Sequence, residues 1–313
     1  MGFVVTHNKH NPLLCPDLEA MAVMTCFEEN RMKTGKTLYL SDLDGTLLNK
    51  DAELSQYTKD ALNRMVANGL CFSVATARTA ATALKILDGV RWSVPLVLMN
   101  GVLIFDTADK RYIQVLSLGA ATVAAVLAVF NRLDATGLMY QLSNNEQATY
   151  YESLDHKPLR DFVEERKARY NKSFQQASSF GDIPPEGIVY FVLLDSHDRI
   201  QLAYEALSEV PGICRFMYKD IYSPDTWDLE ILSNKASKQN AAVFLRETYG
   251  FERVVGFGDG INDLPLFAAC DVKVAVENAD PEVRAAADYI CDTNNNDGVV
   301  KWIEKDFAGG NRK

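Results

Sequence analysis

Hydrophobic and polar positions divide the first half of the chain into apolar runs that alternate with helical repeats. Three short apolar runs, at 37–42, 70–76 and 96–100, predict buried strands. Ser55 is a suitable cap for the helix between the first two runs, and Gly69 is suited to end that helix. Apolar strands that alternate with amphipathic helices are typical of a parallel sheet covered on both faces.

A second stretch with the same alternation begins after about residue 226. Its predicted elements are a strand at 228–232, a helix at 237–249, strands at 253–259 and 272–276, a helix from Pro281 and a strand at 289–291. The two stretches together predict one parallel-sheet domain that is assembled from separate parts of the chain.

The segment between these stretches has a different pattern. Helical spacing near 119–133, 158–170 and 198–209 is mixed with the strand-like runs LMYQL, ATYYE and IVYFVLL. This mixture predicts a separate α+β domain. The predicted fold class is therefore α/β, with a doubly wound, Rossmann-like core of residues 36–115 and 226–313 and an inserted α+β domain of residues 116–225.

Residues 1–35 lack this periodicity and are predicted to be an N-terminal extension. Met32, followed by KTGKTLYL, resembles a natural start, which favours residues 1–31 as a vector remnant or a misassigned start. We expect their removal to leave stability and activity nearly unchanged.

The composition argues against several classes of protein. The 313 residues carry a formal net charge of −10, whereas nucleic-acid binding requires basic patches. The longest apolar run, 123–130, is far shorter than the ~20 residues of a membrane-spanning helix. The six cysteines form no C-x-x-C pair, which is typical of reduced thiols in a cytoplasmic protein. The sequence indicates no particular oligomeric state.

The first predicted strand leads into two carboxylates, Asp42 and Asp44, within DLDGT. Side chains two residues apart on a strand point to the same side, so both should face one small volume at the carboxyl edge of the sheet. They would repel each other unless a cation lies between them, and a hard ion such as Mg²⁺ suits such a pair. Gly45 permits the tight turn that follows.

A second acidic group follows another predicted strand, in the sequence GFGDGINDLPLF. Asp259 and Asp263 flank Asn262 there. The glycines do not form a dinucleotide-binding fingerprint, because Ile261 occupies the position of its third glycine. Asp263 alone is also compatible with a helix N-cap, but beside the first acidic pair a joint functional site is the better interpretation.

These motifs, in this order, resemble those of the haloacid dehalogenase superfamily, most closely its Cof-type sugar-phosphatase branch. The matching residues are Asp42 and Asp44 in the first motif, Thr76 in the second, Lys238 in the third, and Asp259 with Asp263 in the fourth. The resemblance covers about residues 36–305, and the inserted segment lies where this branch carries its cap domain. Ala77 and Gln239 depart from the family pattern, because each replaces a common glycine near the expected phosphate.

The resemblance implies a phosphatase that hydrolyses a small phosphorylated metabolite, a sugar phosphate or similar compound, through an aspartyl-phosphate. Asp42 would attack phosphorus, and Asp44 would protonate the leaving oxygen and then activate water. The residues implied to hold the phosphoryl oxygens are Thr76, Lys238 and Asn262. The implied Mg²⁺ ligands are Asp42, the backbone carbonyl of Asp44 and Asp259, with Asp263 in support.

Three further residues, Arg78, Asn100 and Gly101, occupy loop positions typical of the branch and are the predicted substrate contacts. Taken alone, Arg78 is more typical of a solvated loop charge. Thr76 alone is equally typical of a hydroxyl that caps the next turn.

Two lysines, Lys235 and Lys238, lie near the predicted start of the helix at 237–249. Ser237 is a good N-cap, which places Lys238 in the first turn, close to where a helix end favours an anion. Lys238 is therefore the predicted phosphate ligand, and Lys235 is predicted to be a solvated loop charge.

Two alternatives to a phosphatase stay open. A phosphomutase of the phosphomannomutase type would share the aspartyl-phosphate but return the phosphoryl group to a sugar. A non-catalytic binding module on the same fold has no need for both Asp42 and Asp44, so their presence argues against it.

Overall fold

The computed structural model describes residues 36–219 and 225–310. The predictions for residues 1–35 therefore lie outside the described residues. The strands, numbered in chain order, are β1 (Thr37–Ser41), β2 (Cys71–Val74), β3 (Leu96–Leu98), β4 (Leu103–Asp106), β5 (Arg111–Val115), β6 (Gly137–Ser143), β7 (Glu146–Tyr151), β8 (Gln175–Gln176), β9 (Ile188–Asp195), β10 (Ile213–Lys219), β11 (Trp227–Ser233), β12 (Arg253–Gly258), β13 (Val272–Val276) and β14 (Tyr289–Cys291). The helices are α1 (Gln56–Ala67), α2 (Ala80–Ile86), α3 (Ala120–Leu133), α4 (Lys157–Tyr170), α5 (His197–Ala206), α6 (Lys238–Tyr249), α7 (Leu264–Ala268), α8 (Pro281–Ala286) and α9 (Gly298–Gly310).

The core contains a parallel sheet with the strand order β14-β13-β12-β1-β2. β1 lies inside this sheet, between β12 and β2. Leu38 and Leu40 of β1 pack in a cluster with Leu245 of α6, whereas Tyr39 belongs to a different hydrophobic cluster. Since successive side chains of a strand point to opposite faces, both faces of β1 are covered. The predicted α/β core is confirmed.

A second sheet, with the order β10-β11-β9-β6-β7-β8, is antiparallel except for the short pair β7 and β8. Phe191 of β9 packs with Val126 of α3 and Ile200 of α5. The neighbouring Tyr190 belongs to the same cluster as residues of the parallel-sheet core. This α+β part, here called the cap, therefore has one face against its own helices and the other against the core.

One predicted strand belongs to a different sheet from the one expected. The pattern predicts residues 228–232 as the start of the second half of the core, but β11 pairs with β9 and β10 in the cap sheet. That prediction is wrong because a short apolar run has the same appearance in either sheet. The domain boundaries at 115/116 and 225/226 stay predictions.

A third sheet, β3-β4-β5, is antiparallel and lies beside the parallel sheet. It touches the parallel sheet through a parallel bridge between Ala75 and Val97. The predicted strand at 96–100 is shorter than expected, because Met99–Gly101 forms a tight turn with Asn100 at φ 55°. No helix within residues 36–219 and 225–310 has both the length and the hydrophobicity of a membrane-spanning segment.

Candidate active site

The site begins where β1 ends. The backbone N–H of Asp42 donates to the carbonyl of Phe257 at 3.0 Å, and the chain then turns over Leu43–Leu47. Asp42 and Asp44 are therefore not on one strand, and the geometry predicted for them from strand alternation is wrong. β1 ends at Ser41 and the turn begins at Leu43, so Asp44 lies within the turn and pairs with Arg78, whereas Asp42 precedes the turn and pairs with Lys238.

Gly45 has two reasons to be glycine. Its φ is +80°, which a residue with a side chain adopts only with strain. A Cβ at this position would also lie 2.2 Å from Oδ2 of Asp259. The next residue, Thr46, donates from its hydroxyl to Oδ1 of Asp259 at 2.6 Å. The turn after β1 thus positions the carboxylate that follows β12.

Asp263 supports the loop after β12 rather than projecting freely. Its Oδ2 accepts hydrogen bonds from the backbone N–H groups of Asp259 at 3.0 Å and Gly260 at 3.1 Å. Its Oδ1 accepts from Nζ of Lys238 at 2.6 Å. Both carboxylate oxygens of this fully buried residue are therefore engaged.

Lys238 bridges the two acidic loops. Ser237 caps α6 by accepting a hydrogen bond from the N–H of Asn240, which fixes Lys238 in the first turn. Its Nζ lies 2.6 Å from Oδ1 of Asp42 as well as from Asp263, and the residue is 2% exposed. Lys235 is exposed in the preceding loop. The predicted structural contrast between the two lysines is confirmed.

The buried ionisable groups shift one another's pKa values. Burial raises the pKa of Asp42, the Lys238 ammonium opposes that shift, and the carboxylates of Asp263 and Asp259 add to it. Burial and the charge of Asp263 raise the pKa of Asp259 to about 7. Burial alone would lower the pKa of Lys238, but Asp263 and Asp42 raise it above its usual range. The site thus brings together more carboxyl groups than its lysine can neutralise.

The carboxylates fit a divalent cation. Oxygens of Asp42, Asp259 and Asp263 all lie within 4.8 Å of one another. Among the described residues, none donates a hydrogen bond to Oδ2 of Asp42 or Oδ2 of Asp259. Oxygen donors of this kind suit Mg²⁺. Since both oxygens of Asp263 are engaged in hydrogen bonds, Asp42 and Asp259 offer the carboxylate oxygens that are available to bind the cation.

Asp44 has a separate partner. Arg78 donates to both of its oxygens, at 2.7 and 2.6 Å, and also to the hydroxyl of Tyr170 in α4 at 3.2 Å. The Arg78 side chain is 11% exposed, so the interpretation of Arg78 as a solvated loop charge is wrong. Burial alone would lower the pKa of Arg78, but the hydrogen bonds and charge of Asp44 raise it.

The other predicted contacts have partners of their own. Thr76 is buried, and its Oγ1 accepts from the N–H of Arg78 at 3.1 Å. Asn100 donates from Nδ2 to Glu230 at 2.7 Å and to Tyr190 at 3.1 Å, while its buried Oδ1 accepts no hydrogen bond from the described residues.

Gly101 and Asn262 are placed by backbone turns. A Cβ at Gly101 would lie 2.3 Å from the carbonyl of Ser237, so its glycine permits close packing beside α6. Asn262 lies half-buried in the turn Ile261–Asp263. The ligand roles of all ten predicted site residues stay predictions.

Comparisons with known proteins identify the family of this chain. Residues 39–303 match the haloacid dehalogenase-like hydrolase family. The chain belongs to this family. The predicted superfamily and the prediction of a hydrolytic enzyme are thereby confirmed.

This hydrolase has relatives along most of its length. It is 24% identical over 289 residues to the 5-amino-6-(5-phospho-D-ribitylamino)uracil phosphatase YwtE of Bacillus subtilis, covering 86% of the chain and 97% of the relative. It is 22% identical over 268 residues to the pyridoxal phosphate phosphatase YbhA of Escherichia coli, covering 84% and 95%. Its fold matches a haloacid dehalogenase-like hydrolase from Bacteroides thetaiotaomicron with a TM-score of 0.74 and 23% identity, covering 87% of the chain and 99% of that structure.

Two residues of the hydrolase's site are absent from the sequence-based prediction. Thr46 was available in the DLDGT motif, where a hydroxyl after a tight turn is a recognisable hydrogen-bond donor. Tyr170 carries no such signal, because its partner Arg78 is 92 residues away in the chain.

Proposed function

We propose that this hydrolase is a Mg²⁺-dependent phosphatase that acts on a small phosphorylated metabolite through an aspartyl-phosphate. The supporting observation is the environment of Asp42. Lys238 holds its Oδ1 at 2.6 Å, while no described residue donates to its Oδ2. A buried carboxylate that is oriented by a lysine is suited to attack phosphorus in line with one oxygen and to face a cation with the other.

The proposed reaction has two steps. In the first, Asp42 attacks phosphorus, the bond to the leaving oxygen breaks, and Asp44 gives that oxygen a proton. In the second, Asp44 takes a proton from a water molecule that attacks the aspartyl-phosphate. Inorganic phosphate leaves, and the Asp42 carboxylate is restored. Arg78 orients Asp44 for both proton transfers by holding its two oxygens.

The remaining residues serve the phosphoryl group and the metal. Lys238 and Thr76 would bind phosphoryl oxygens, with Asn262 as a further donor. Asp42, Asp259 and the backbone carbonyl of Asp44 would hold Mg²⁺, and Asp263 would support them by holding Lys238 and the loop backbone. When bound, the ion supplies positive charge that neutralises the carboxylates and the phosphoryl oxygens.

The relatives support the substrate class. Their names give 5-amino-6-(5-phospho-D-ribitylamino)uracil and pyridoxal phosphate as substrates, and both are small phosphomonoesters. A sugar phosphate or similar metabolite is the proposed substrate of this chain.

The test is release of inorganic phosphate from p-nitrophenyl phosphate with Mg²⁺ and with a chelator. We expect the chelator to abolish turnover, and Asp42→Asn to reduce kcat by about 10³-fold or more because the nucleophile is lost. Asp88→Asn, at an exposed aspartate, is the matched control and should behave like the parent. Parent-level turnover by Asp42→Asn would contradict the covalent mechanism. Isomerisation of a sugar phosphate without phosphate release would instead favour a phosphomutase.

A further inference from the structure

Lys172 is a buried lysine of the cap that has no part in the proposed reaction. It follows the end of α4, and only 7% of it is exposed. Its Nζ lies 4.6 Å from the ring centroid of Tyr140 and 4.9 Å from that of Phe174. Such cation–aromatic contacts stabilise an ammonium but leave its charge unneutralised.

Lys172 has no acidic partner among the residues that the structure describes. The neighbouring charge that acts on it belongs to Arg166, which is a second cation and is itself paired with Glu165. Burial, and after it Arg166, lowers the pKa of Lys172 to about 7. A buried cation without a counter-charge is costly for a folded protein. Its position is therefore better explained by a ligand than by stability.

One set of contacts connects this region to the proposed acid/base. Tyr170 is buried and lies two residues before Lys172 in the chain. Its hydroxyl accepts a hydrogen bond from Arg78, which in turn holds Asp44. The end of α4 thus contacts Arg78 of the core and, through Arg78, is connected to Asp44.

A second set of contacts leads to the proposed phosphate site. The ring of Tyr140, beside Lys172, packs edge-to-face on Tyr190 with 6.0 Å between centroids. Tyr190 accepts a hydrogen bond from Asn100, whose backbone N–H donates to the carbonyl of Thr76 at 2.9 Å. Two separate chains of contacts, through Tyr170 and through Tyr140, therefore connect the surroundings of Lys172 to the proposed active site.

We propose that Lys172 binds a second anionic group of the substrate, a carboxylate or another phosphate, and so selects phosphomonoesters that carry one. This inference rests on the proposed function and names the substrate class of the same site. A ligand anion supplies the counter-charge that the chain lacks, through a charge-assisted hydrogen bond. A phosphomonoester without a second anionic group leaves the buried ammonium without a partner, and a site of that kind discriminates strongly.

The experiment measures kcat/KM of the full chain on matched pairs of compounds. Phosphogluconate with glucose phosphate, and phosphoglycerate with glycerol phosphate, test an added carboxylate. Fructose bisphosphate with fructose monophosphate tests an added phosphate. The variant is Lys172→Met, which keeps the length of the side chain without its charge. Lys167→Met is the matched control, since Lys167 is an exposed lysine of α4 whose Nζ lies 5.9 Å from the Phe174 centroid.

We expect the parent to prefer the more anionic member of at least one pair by about tenfold or more. Lys172→Met should remove that preference, mainly through KM, while its kcat/KM for p-nitrophenyl phosphate stays within about twofold of the parent. Its melting temperature should equal or exceed that of the parent, because a buried unpaired charge is gone. Lys167→Met should keep the preference.

Two results overturn the inference and leave the proposed function intact. One is a parent that hydrolyses p-nitrophenyl phosphate but shows no preference within any pair. The other is a folded Lys172→Met variant that retains the preference of the parent. A parent that releases phosphate from none of these compounds contradicts the proposed function, and the inference with it.

Discussion

Arg78 holds both carboxylate oxygens of Asp44 and donates to Tyr170 through the same guanidinium. Asp44 and Arg78 belong to the core, whereas Tyr170 is the last residue of α4 in the cap. The proposed acid/base is therefore oriented by a residue that also contacts the cap. This geometry requires the planar, forked donor set of arginine, which a lysine does not provide.

We expect Arg78→Lys to lower kcat for p-nitrophenyl phosphate by about tenfold or more, because the bidentate pair of hydrogen bonds to Asp44 is lost. Tyr170→Phe removes one hydrogen bond and should cost less than about tenfold. Arg64→Lys is the control, since Arg64 forms an exposed ion pair with Glu304. A larger effect from Tyr170→Phe than from Arg78→Lys would contradict this account.

The second prediction concerns Lys238. Lys238→Ala should lower kcat/KM by about 10²–10³-fold, the loss typical of one electrostatic stabiliser. It also leaves Asp42 and Asp263 buried without their shared cation, so the melting temperature should fall in the absence of Mg²⁺. Lys235→Ala should match the parent in both measurements, because Lys235 is exposed. The reverse pattern in the two variants would contradict the assignment.

The third prediction separates backbone strain from steric conflict at Gly45. Gly45→Ala places a Cβ 2.2 Å from Oδ2 of Asp259, and it also strains a backbone with φ +80°. Gly69→Ala imposes comparable strain at φ +94° with open space around the new Cβ. Both variants should lose about 1 kcal/mol or more of stability, but only Gly45→Ala should lose Mg²⁺ binding, as measured by calorimetry. Equal Mg²⁺ affinity in the two variants would show that Mg²⁺ binding by Asp259 does not require the close approach of Gly45.

The fourth prediction follows from Asp259, whose pKa is about 7. Since Mg²⁺ binds the carboxylate and not the carboxylic acid, protons compete with it as the pH falls through about 7. The apparent Mg²⁺ affinity should then fall by up to about tenfold per pH unit. The hydrogen bond from Thr46 lowers the pKa of Asp259, so Thr46→Val should move this loss to higher pH. A pH-independent affinity between about pH 5 and 8 would contradict the assignment.

Ionisation of Asp259 favours Mg²⁺ binding but lowers the stability of the metal-free protein. The pKa of Asp259 is 3.8 without the folded environment and about 7 within it, so the folded state binds the proton more tightly. Its contribution to the free energy of unfolding is therefore fully present below about pH 4 and is lost as the pH rises through about 7. Comparing the melting temperatures of the parent and Asp259→Asn in chelator isolates this contribution. Saturating Mg²⁺ should restore the stability of the parent at high pH and leave the variant little changed.

Local signals account for what the sequence predicted well. The helix predicted at 237–249 is found at Lys238–Tyr249, because the hydroxyl of Ser237 caps it within its own first turn. The acidic residues after β1 and β12 meet because parallel strands present their carboxyl ends at one edge. Both inferences need only the residues nearby and the sense of the strands.

Pairings between distant segments were beyond such reasoning. The guanidinium of Arg78 is paired with a residue 34 positions away, and nothing in its own loop indicates that partner. Lys172 follows a polar helix and has the appearance of a surface lysine in the sequence, yet it is buried by aromatic side chains from β6 and from the segment before β8. Burial of that kind is decided by tertiary packing and leaves no periodic pattern.

The order of the parallel sheet also bears on how the protein is made. β1 pairs on one side with β2, which follows it closely, and on the other with β12, which the ribosome synthesises only after the whole cap. During synthesis, β1 therefore keeps one edge unpaired until β11 has completed the cap sheet and β12 has been made. An unpaired apolar strand edge is a site of aggregation in a nascent chain. We expect chains that stall before Arg253 to depend on chaperones, whereas chains released after α9 can close the sheet by themselves.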